Sequence, residues 1–450
     1  MTGTRPTRAA IAAMLLCFAP LVARADAAAD KRMAEMEARL SQLESKLEAS
    51  QKTIDEQAEL LKSQATPAVS AGSEPASKLD AFLDTVQING FVAASYQYSF
   101  NNPNNPNFAM ATNQFNVDHN TFNLDAAKIE FYRPAANPGE AGFQLDVTYG
   151  ANAGILGAYR FNTPGYFADN FVYVQDMNVQ YNWDNVLLKL GKFETLLGYE
   201  VIDSVANKNV TQGLLFTYAI PLVHTGLLAS GKFGESPVGW AAGVVNGWNN
   251  ATDTNDDKGL LAQLNFSQGM LTTALSGYYG SDGNTGFADV TSTNLFVQNT
   301  SSDPSIVLDW TATLVANDLL TFWANADWGL QKNVIFVAGP NAGRNLDAIW
   351  YGLALGTQFT FDEKTTFAVR GEYMRDADGY RIVLGNNTDA YTLTGTLGYK
   401  LTSNLLARVE FRYDALTTQG NGDHFFPTGR SSVGSNNGYQ GIVNVAYVFD

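Results

Sequence analysis

Apolar and polar residues alternate along most of the chain. In the last stretch, GYQGIVNVAYVFD, Val443 and Tyr447 fall on one face of a predicted strand, and Gln440 and Asn444 fall on the other. A strand that is apolar on one face, mostly polar on the other and aromatic near its end is typical of a barrel whose outside is lipid. The pattern predicts an all-β transmembrane antiparallel barrel over residues 85–450.

The alternation resolves into about 16 strands. They are predicted to begin near residues 86, 121, 142, 170, 186, 222, 237, 258, 270, 305, 319, 347, 365, 389, 405 and 439. Short connections such as WDN and GES alternate with long ones, as in outer-membrane barrels. Both barrel termini are then expected on the short-turn, periplasmic side, which requires an even number of strands. A soluble β-sandwich or propeller is the competing interpretation, and such unequal loops fit either of them poorly.

The first 25 residues have the pattern of a secretory signal peptide. Arg5 and Arg8 precede an apolar run, and Ala23-Arg24-Ala25 fits a cleavage site. The chain's one cysteine, Cys17, lies inside this segment, so the mature protein is expected to have no disulfide bonds.

Residues 26–62 carry a heptad pattern. Met33, Leu40, Leu47, Ile54 and Leu61 are spaced by seven, with charged residues between them. This pattern predicts a short periplasmic α-helical coiled coil, and hence self-association. A single solvated helix is the alternative. Residues 63–84 are predicted to form a linker rich in Pro, Ser and Ala in its first part.

The net charge of −16 argues against nucleic acid as a partner, because binding to nucleic acid needs a basic surface. Outside the N-terminal segment no run of about 18 apolar residues occurs, so no membrane-spanning helix is expected in the mature chain.

Several charged residues alternate with apolar ones inside the predicted strands. Such groups are costly on a lipid-facing wall, so the alternation assigns them to a water-filled lumen. The predicted pore-lining residues are Arg370, Glu372, Arg408, Glu410, Arg412, Lys189, Lys400, Asp146 and Asp176, with Asp309 and Asp327 adding further negative charge. The alternative is that these residues pair across strands and only fill the wall.

One long connection, over residues 195–221, is less polar than a surface loop should be. Folding into the lumen would bury its large apolar side chains, each worth about 1.5–3 kcal/mol, and would narrow the pore. An external cap or a subunit contact would also bury them. The predicted charged residues of this constriction are Glu194, Glu200, Asp203 and Lys208. We expect one of its three acids to oppose Arg370, Arg408 and Arg412.

We find no sequence signature of catalysis, of a cofactor or of a strong metal site. His119, His224 and His424 lie near no recognisable nucleophile motif. The stretch ATDTNDDK around Asp253 could bind calcium weakly, but it lacks the distal bidentate Glu, and a solvated acidic turn is favoured. The sequence therefore predicts neither an enzyme nor a cofactor.

Several segments resemble a known family. GKFETLLGYE, VVNGWNN, VRGEYMRDADG, NQFNVDHNTFNLDAAKIEF and RVEFRYD are similar to the β-barrel porin family called porin-2 or OmpL-like. The resemblance implies a porin in the outer membrane of a Gram-negative bacterium and supplies no catalytic residues.

About 16 strands leave an aqueous channel, so the leading interpretation is passive diffusion of small hydrophilic solutes or ions. The alternative is a structural or adhesion barrel that the coiled coil tethers and whose surface loops bind partners. Outer-membrane lipid is an expected partner. A homo-oligomer is also expected, and a trimer by analogy with general porins.

Overall fold

A computed structural model describes residues 82–103, 112–161, 172–253, 255–281, 303–336, 341–382, 386–418, 426 and 435–449. The chain divides into two units, Met1–Asp80 and Ala81–Asp450, and all the described residues belong to the second. The predicted signal peptide (1–25), coiled-coil helix (26–62) and residues 63–81 of the predicted linker lie outside the described residues.

The described residues form a closed antiparallel barrel of sixteen strands. The first eight strands are β1 (Gln87–Ser99), β2 (Thr121–Arg133), β3 (Ala141–Tyr149), β4 (Val172–Trp183), β5 (Val186–Glu194), β6 (Val223–Lys232), β7 (Val238–Val245) and β8 (Gly259–Gln268). The other eight are β9 (Leu271–Gly280), β10 (Ser305–Val315), β11 (Leu320–Ile335), β12 (Asn345–Thr360), β13 (Thr365–Asp376), β14 (Thr388–Lys400), β15 (Leu405–Thr418) and β16 (Asn437–Phe449).

Each strand pairs with its neighbours in sequence, and β1 closes the barrel against β16. The closing register runs from the pair Gly90–Phe449 to the pair Ser99–Gln440. The predicted barrel of about 16 strands is thus confirmed, and every observed strand begins within two residues of its predicted start. The start of β1 and the end of β16 lie at the end of the barrel that carries the short connections.

One of the two-residue connections shows why the turns form where they do. Asp184 and Asn185 join β4 to β5, and their φ angles are 50° and 68°. Two consecutive residues with positive φ make a type I′ turn, whose twist matches that of the two strands it joins, and Asp and Asn tolerate this conformation. The predicted WDN turn therefore fixes the register of this hairpin, with Trp183 opposite Val186.

The outer face of the barrel is apolar and exposed. Leu393, Leu397, Val409 and Val443 are among the large hydrophobic side chains on this surface. Exposed aromatic residues lie toward both ends of the strands: Trp183, Phe233, Phe361, Tyr399 and Tyr447 near the short turns, and Tyr149, Tyr279, Trp328, Tyr351, Tyr391 and Tyr439 near the long connections. An apolar band between two aromatic girdles is the surface that a bilayer requires of a β-barrel.

The inner face is polar and mostly buried, but strict alternation does not describe all of it. The pairing of β1 with β2 shifts register between Ala93 and Ala94. On β2, Asp125 and Lys128 are both buried although they are three residues apart. Because a β-bulge moves the following residues to the opposite face, both side chains can point to the interior.

Two further elements lie in the long connections. Helix α1 (Ala151–Phe161) follows β3, and a single π-helical turn (Leu215–Ala219) lies between β5 and β6. Leu156 of α1 packs in an apolar cluster with Phe115, Ile202 and Phe216. This cluster joins α1 to the connection between β5 and β6.

Candidate functional site

The connection between β5 and β6, residues 195–222, packs against the inner wall of the barrel. All residues from 209 to 224 are buried. Leu214 and Leu215 belong to the same apolar cluster as Trp350 of β12 and Met374 of β13. The Trp350 Nε1–H also donates a hydrogen bond of 3.0 Å to the carbonyl of Ala219. The apolar side chains of this connection are therefore buried against the wall.

Carboxylates accept hydrogen bonds from backbone N–H groups within residues 210–214, which we call the wall-bound segment. Glu410 of β15 accepts from the amides of Val210 (2.6 Å) and Thr211 (3.0 Å). Glu372 of β13 accepts from the amide of Leu214 at 3.1 Å. Bonds to an ionised acceptor are stronger than neutral ones, so two carboxylates of the wall fix the path of this segment.

Guanidinium groups bind the carbonyls of the same stretch. Arg370 donates to the carbonyl of Thr211 at 2.7 Å, and Arg412 donates to that of Gln212 at 2.6 Å. Arg408 donates to the carbonyl of Ser204 at 2.9 Å. The exposed fractions of Arg370, Arg412 and Arg408 are 0%, 0% and 3%. The structure brings these three arginines together, and the backbone of the connection covers them.

Two of these arginines also form ion pairs with acidic side chains. Arg370 pairs with Glu200 of the connection, and with Glu372 at 3.0 Å. Arg412 pairs with Asp414 at 2.8 Å. Of the three acids expected to oppose the arginines, Glu200 lies there, and its other carboxylate oxygen accepts from the amide of Gly213 at 2.6 Å. Burial raises the pKa of the Glu200 carboxyl, and the neighbouring Arg370 guanidinium opposes that rise.

The other two acids lie on a different part of the wall, formed by β2 to β5. Asp203 pairs with Lys128 of β2 at 2.7 Å, and Lys128 also pairs with Asp146 of β3 at 2.8 Å. Gln175 of β4 donates to Glu194 at 2.6 Å and to Asp203 at 3.1 Å. We call Asp146, Asp176, Glu194, Asp203 and Lys128 the acidic side.

Asp176 completes the acidic side. It accepts a hydrogen bond of 3.3 Å from the amide of Glu194. The acidic side thus has four carboxyl groups and one ammonium group, which pairs with two of them. The side chain of Asp203 is 22% exposed. The acidic side therefore carries an excess of negative charge close to solvent.

Three predicted basic residues take part in none of these ion pairs. Lys189 of β5 lies opposite Gln180 and is partly exposed, whereas Lys400 is exposed at the short-turn end of β14. Lys208 of the connection is exposed next to the buried Asn209. These side chains lie in wetter surroundings than the arginines.

The residues considered for chemistry do not assemble into a reactive site. His119 and His224 lie in separate buried positions, and His224 contacts Thr195 Oγ1 at 3.1 Å. His424 lies outside the described residues. Asp253 of the acidic turn pairs with Lys258. In the described ranges, no group of three or more His, Cys, Asp or Glu residues could hold a metal ion.

Among the helices that the structure describes, none is both long and apolar enough to cross a membrane.

A family model for beta-barrel porin-2, OmpL-like proteins matches residues 85–449. The chain belongs to this family. Its barrel is therefore that of an outer-membrane porin family, as the resemblance implied. Among curated proteins, none matches the chain.

Solved structures of outer-membrane proteins share this fold. OmpF of Salmonella typhi, in complex with daunomycin, is 12% identical with a TM-score of 0.53, and the match covers 81% of this chain and 97% of that one. The outer-membrane channel DcaP of Acinetobacter baumannii is 12% identical with a TM-score of 0.52, over 81% and 97%. An anion-selective porin from Comamonas acidovorans is 11% identical with a TM-score of 0.50, over 81% and 99%. At these identities the likeness concerns the fold alone.

Sequence reasoning missed Lys128, Gln175 and Asn325. Lys128 alternates with the apolar Ile129 and was detectable on that ground, but the bulge before it breaks the parity with Asp125. Gln175 and Asn325 carry no charge, and only their hydrogen bonds to the connection between β5 and β6, to Asp203 and to Tyr199, distinguish them from other polar residues of the wall.

Proposed function

We propose that the protein is a passive pore that lets small hydrophilic solutes or ions cross the outer membrane. The observation that carries the proposal is the connection 195–222 inside a closed sixteen-stranded barrel with a polar inner wall. A barrel of this size has room for an aqueous channel, and a segment fixed inside it limits the size of what passes. A structural or adhesion barrel has no need of such a segment.

The charged residues of the wall fall into two groups, and we infer a different role for each group in the pore. The arginines Arg370, Arg408 and Arg412 are buried and bound to backbone carbonyls, so their charge contributes to holding the connection. The acidic side has four carboxyl groups, of which two pair with Lys128, and Asp203 reaches solvent. We propose that solutes pass along the acidic side and that the pore prefers small cations mildly. We further propose that Lys189, Lys208 and Lys400 line wider parts of the lumen.

The remaining segments complete the proposal. Residues 1–25 are removed on export, residues 26–62 form a coiled coil in the periplasm, and residues 63–84 link it to the barrel. A heptad stripe needs a partner helix, so the assembly is a homo-oligomer, with a trimer favoured by analogy with general porins.

The reversal potential across planar bilayers under a salt gradient tests this path. Lys128→Gln removes the cation that pairs with Asp146 and Asp203 and should increase the preference for cations, whereas Asp203→Asn should decrease it. Lys332→Gln is the control, because Lys332 forms an exposed ion pair with Asp347 at the long-connection end of β11 and β12. That variant should behave as the wild type.

Two results would count against the proposed path. One is an unchanged reversal potential in both acidic-side variants. The other is a shift of the same sign in both, because the two substitutions change the local charge in opposite directions. An absence of any conductance would reject the pore itself and leave the structural or adhesion barrel as the function.

A further inference from the structure

The connection between β5 and β6 has a second attachment, far in sequence from the arginines. Residues 196–199 lie at the start of the connection after β5, and we call them the corner. The carbonyl of Leu196 accepts hydrogen bonds from Gln263 Nε2 at 2.9 Å and from Ser276 Oγ at 3.0 Å. The Tyr199 ring stacks on Trp323 of β11 with a centroid distance of 4.3 Å and an angle of 6°.

Two buried acids contribute to this attachment. Asp309 of β10 and Asp327 of β11 are directly opposite each other in the strand register, and they are 1% and 4% exposed. The amide of Gly198 lies close to the carboxyl group of Asp309. Asn325 Nδ2 donates to Asp309 Oδ2 at 2.6 Å, while Asn325 Oδ1 accepts from the amide of Tyr199 at 3.1 Å. Asp309 thus fixes Asn325, which accepts from the amide of Tyr199, and Asp309 itself faces the preceding amide of the corner.

The hydrogen bonds around the two acids are incomplete without a proton. Asp309 Oδ1 and Asp327 Oδ1 are buried, and neither accepts from an N–H or ordinary O–H donor of the described residues. The two carboxyl groups face each other across the register of β10 and β11, within hydrogen-bonding reach. An ionised carboxylate only accepts, so two carboxyl groups can bond to each other only when one of them is protonated.

The surroundings give no charge that could replace this proton. Among the ion pairs of the described ranges, none includes Asp309 or Asp327. The charged group that acts on Asp327 from β13 is Glu372, an acid that is paired with Arg370. The residues opposite the pair on β9 and β12 are the uncharged Ser276 and Gly352. Two carboxylates this close and this buried would repel each other strongly.

We propose that Asp309 and Asp327 share one proton, and that this proton keeps the corner of the connection attached to β10 and β11. Both acids act as positioning residues for the constriction. When the pH rises enough to remove the proton to solvent, the two carboxylates repel each other, Asp309 and Asn325 move apart, the amide of Tyr199 loses its acceptor, and that of Gly198 moves away from Asp309. Below that pH the corner stays fixed.

Hydrogen exchange of the Gly198 and Tyr199 amides in the folded full-length protein tests this proposal. After correction for the intrinsic effect of pH on exchange, the wild type should show a rise of about tenfold or more from pH 6 to pH 10 as the corner opens locally. Asp327→Asn carries a permanent N–H donor toward Asp309. In this variant the corrected exchange rate should stay slow and should not change with pH. In Asp309→Asn the new amide N–H donates to Asp327 instead. This variant replaces the first one in the experiment if the first does not fold.

The control is Asp389→Asn, which removes a partly exposed carboxylate paired with Arg375 and should keep the alkaline rise of the wild type. Two results would overturn the proposal: an exchange rate that does not change with pH in the wild type, or an exchange rate that still rises at alkaline pH in Asp327→Asn. Single-channel conductance over the same pH range is the second readout, and it rests on the proposed pore function. If no variant conducts, the pore proposal fails, whereas the exchange profiles still decide whether the proton holds the corner.

Discussion

At the scale of single residues, the charged side chains of the lumen act mainly on backbone groups. Glu410 and Glu372 accept from amides of the wall-bound segment, and Arg370 and Arg412 donate to its carbonyls. A buried charge is tolerated when it is paired and its hydrogen bonds are satisfied, and this segment provides both acceptors and donors. The same contacts make these residues sensitive to substitution.

Arg412→Met should destabilise the folded barrel strongly. The change leaves the buried Asp414 without its partner, and such a loss costs about 3–5 kcal/mol. Arg375→Met removes the partner of Asp389 from a pair that is about a quarter exposed, where the expected cost is about 0–1 kcal/mol. Denaturant unfolding in detergent micelles compares the two, and equal losses would show that burial of the first pair does not matter.

Alternation predicts which charged residues point inward but does not predict their partners. Arg370, Arg408 and Arg412 were predicted to line the pore, and the structure covers them with the backbone of residues 204–212. Charge reversal at Arg412 would therefore disturb the connection as well as the ion preference. Pairs such as Lys128 with Asp203 join residues 75 positions apart, so the alternation of neighbouring residues cannot predict them.

At the scale of elements, the strands were predictable because one face meets lipid and the other meets the lumen, which forces a period of two. The bulges escaped the prediction because a single extra residue shifts the pattern without changing its composition. The burial of the connection 195–222 was predicted from its apolar content. Its path was not, because this depends on wall residues of β11 to β15.

Gly213→Ala tests how closely this path is fixed. A Cβ at this position would overlap the carboxylate of Glu372, which the amide of Leu214 and Thr392 Oγ1 hold in place. Overpacking of this kind costs about 1–3 kcal/mol, so the folded barrel should melt earlier in a heat-modifiability assay. Gly371→Ala is the matched control, because the structure has open space around its Cβ. If both variants melt alike, the wall-bound segment is mobile.

At the scale of the whole molecule, the barrel and the N-terminal residues are predicted to have separate tasks. The barrel closes on itself through β1 and β16, so it needs no partner to satisfy its edges. The heptad pattern of residues 26–62 is then available to hold copies of the chain together on the periplasmic side. Assembly would depend on this stretch more than folding does.

Deletion of residues 30–64 should separate these two tasks. The variant should keep a folded barrel, because the deleted residues precede β1, and its oligomer should dissociate at a lower temperature on gels. The temperature at which the oligomer band disappears is the measurement. An unchanged temperature would show that the barrels associate through other surfaces.

Single-channel conductance tests most directly whether residues 195–222 narrow a conducting lumen. Deletion of residues 201–215 removes the wall-bound segment and frees Arg370, Glu372, Glu410 and Arg412 to face water, so the conductance should rise clearly above that of the wild type. Lys332→Gln, which alters an exposed ion pair at the long-connection end of β11 and β12, should leave it unchanged. If the conductance after deletion of residues 201–215 equals that of the wild type, the connection does not narrow the pore.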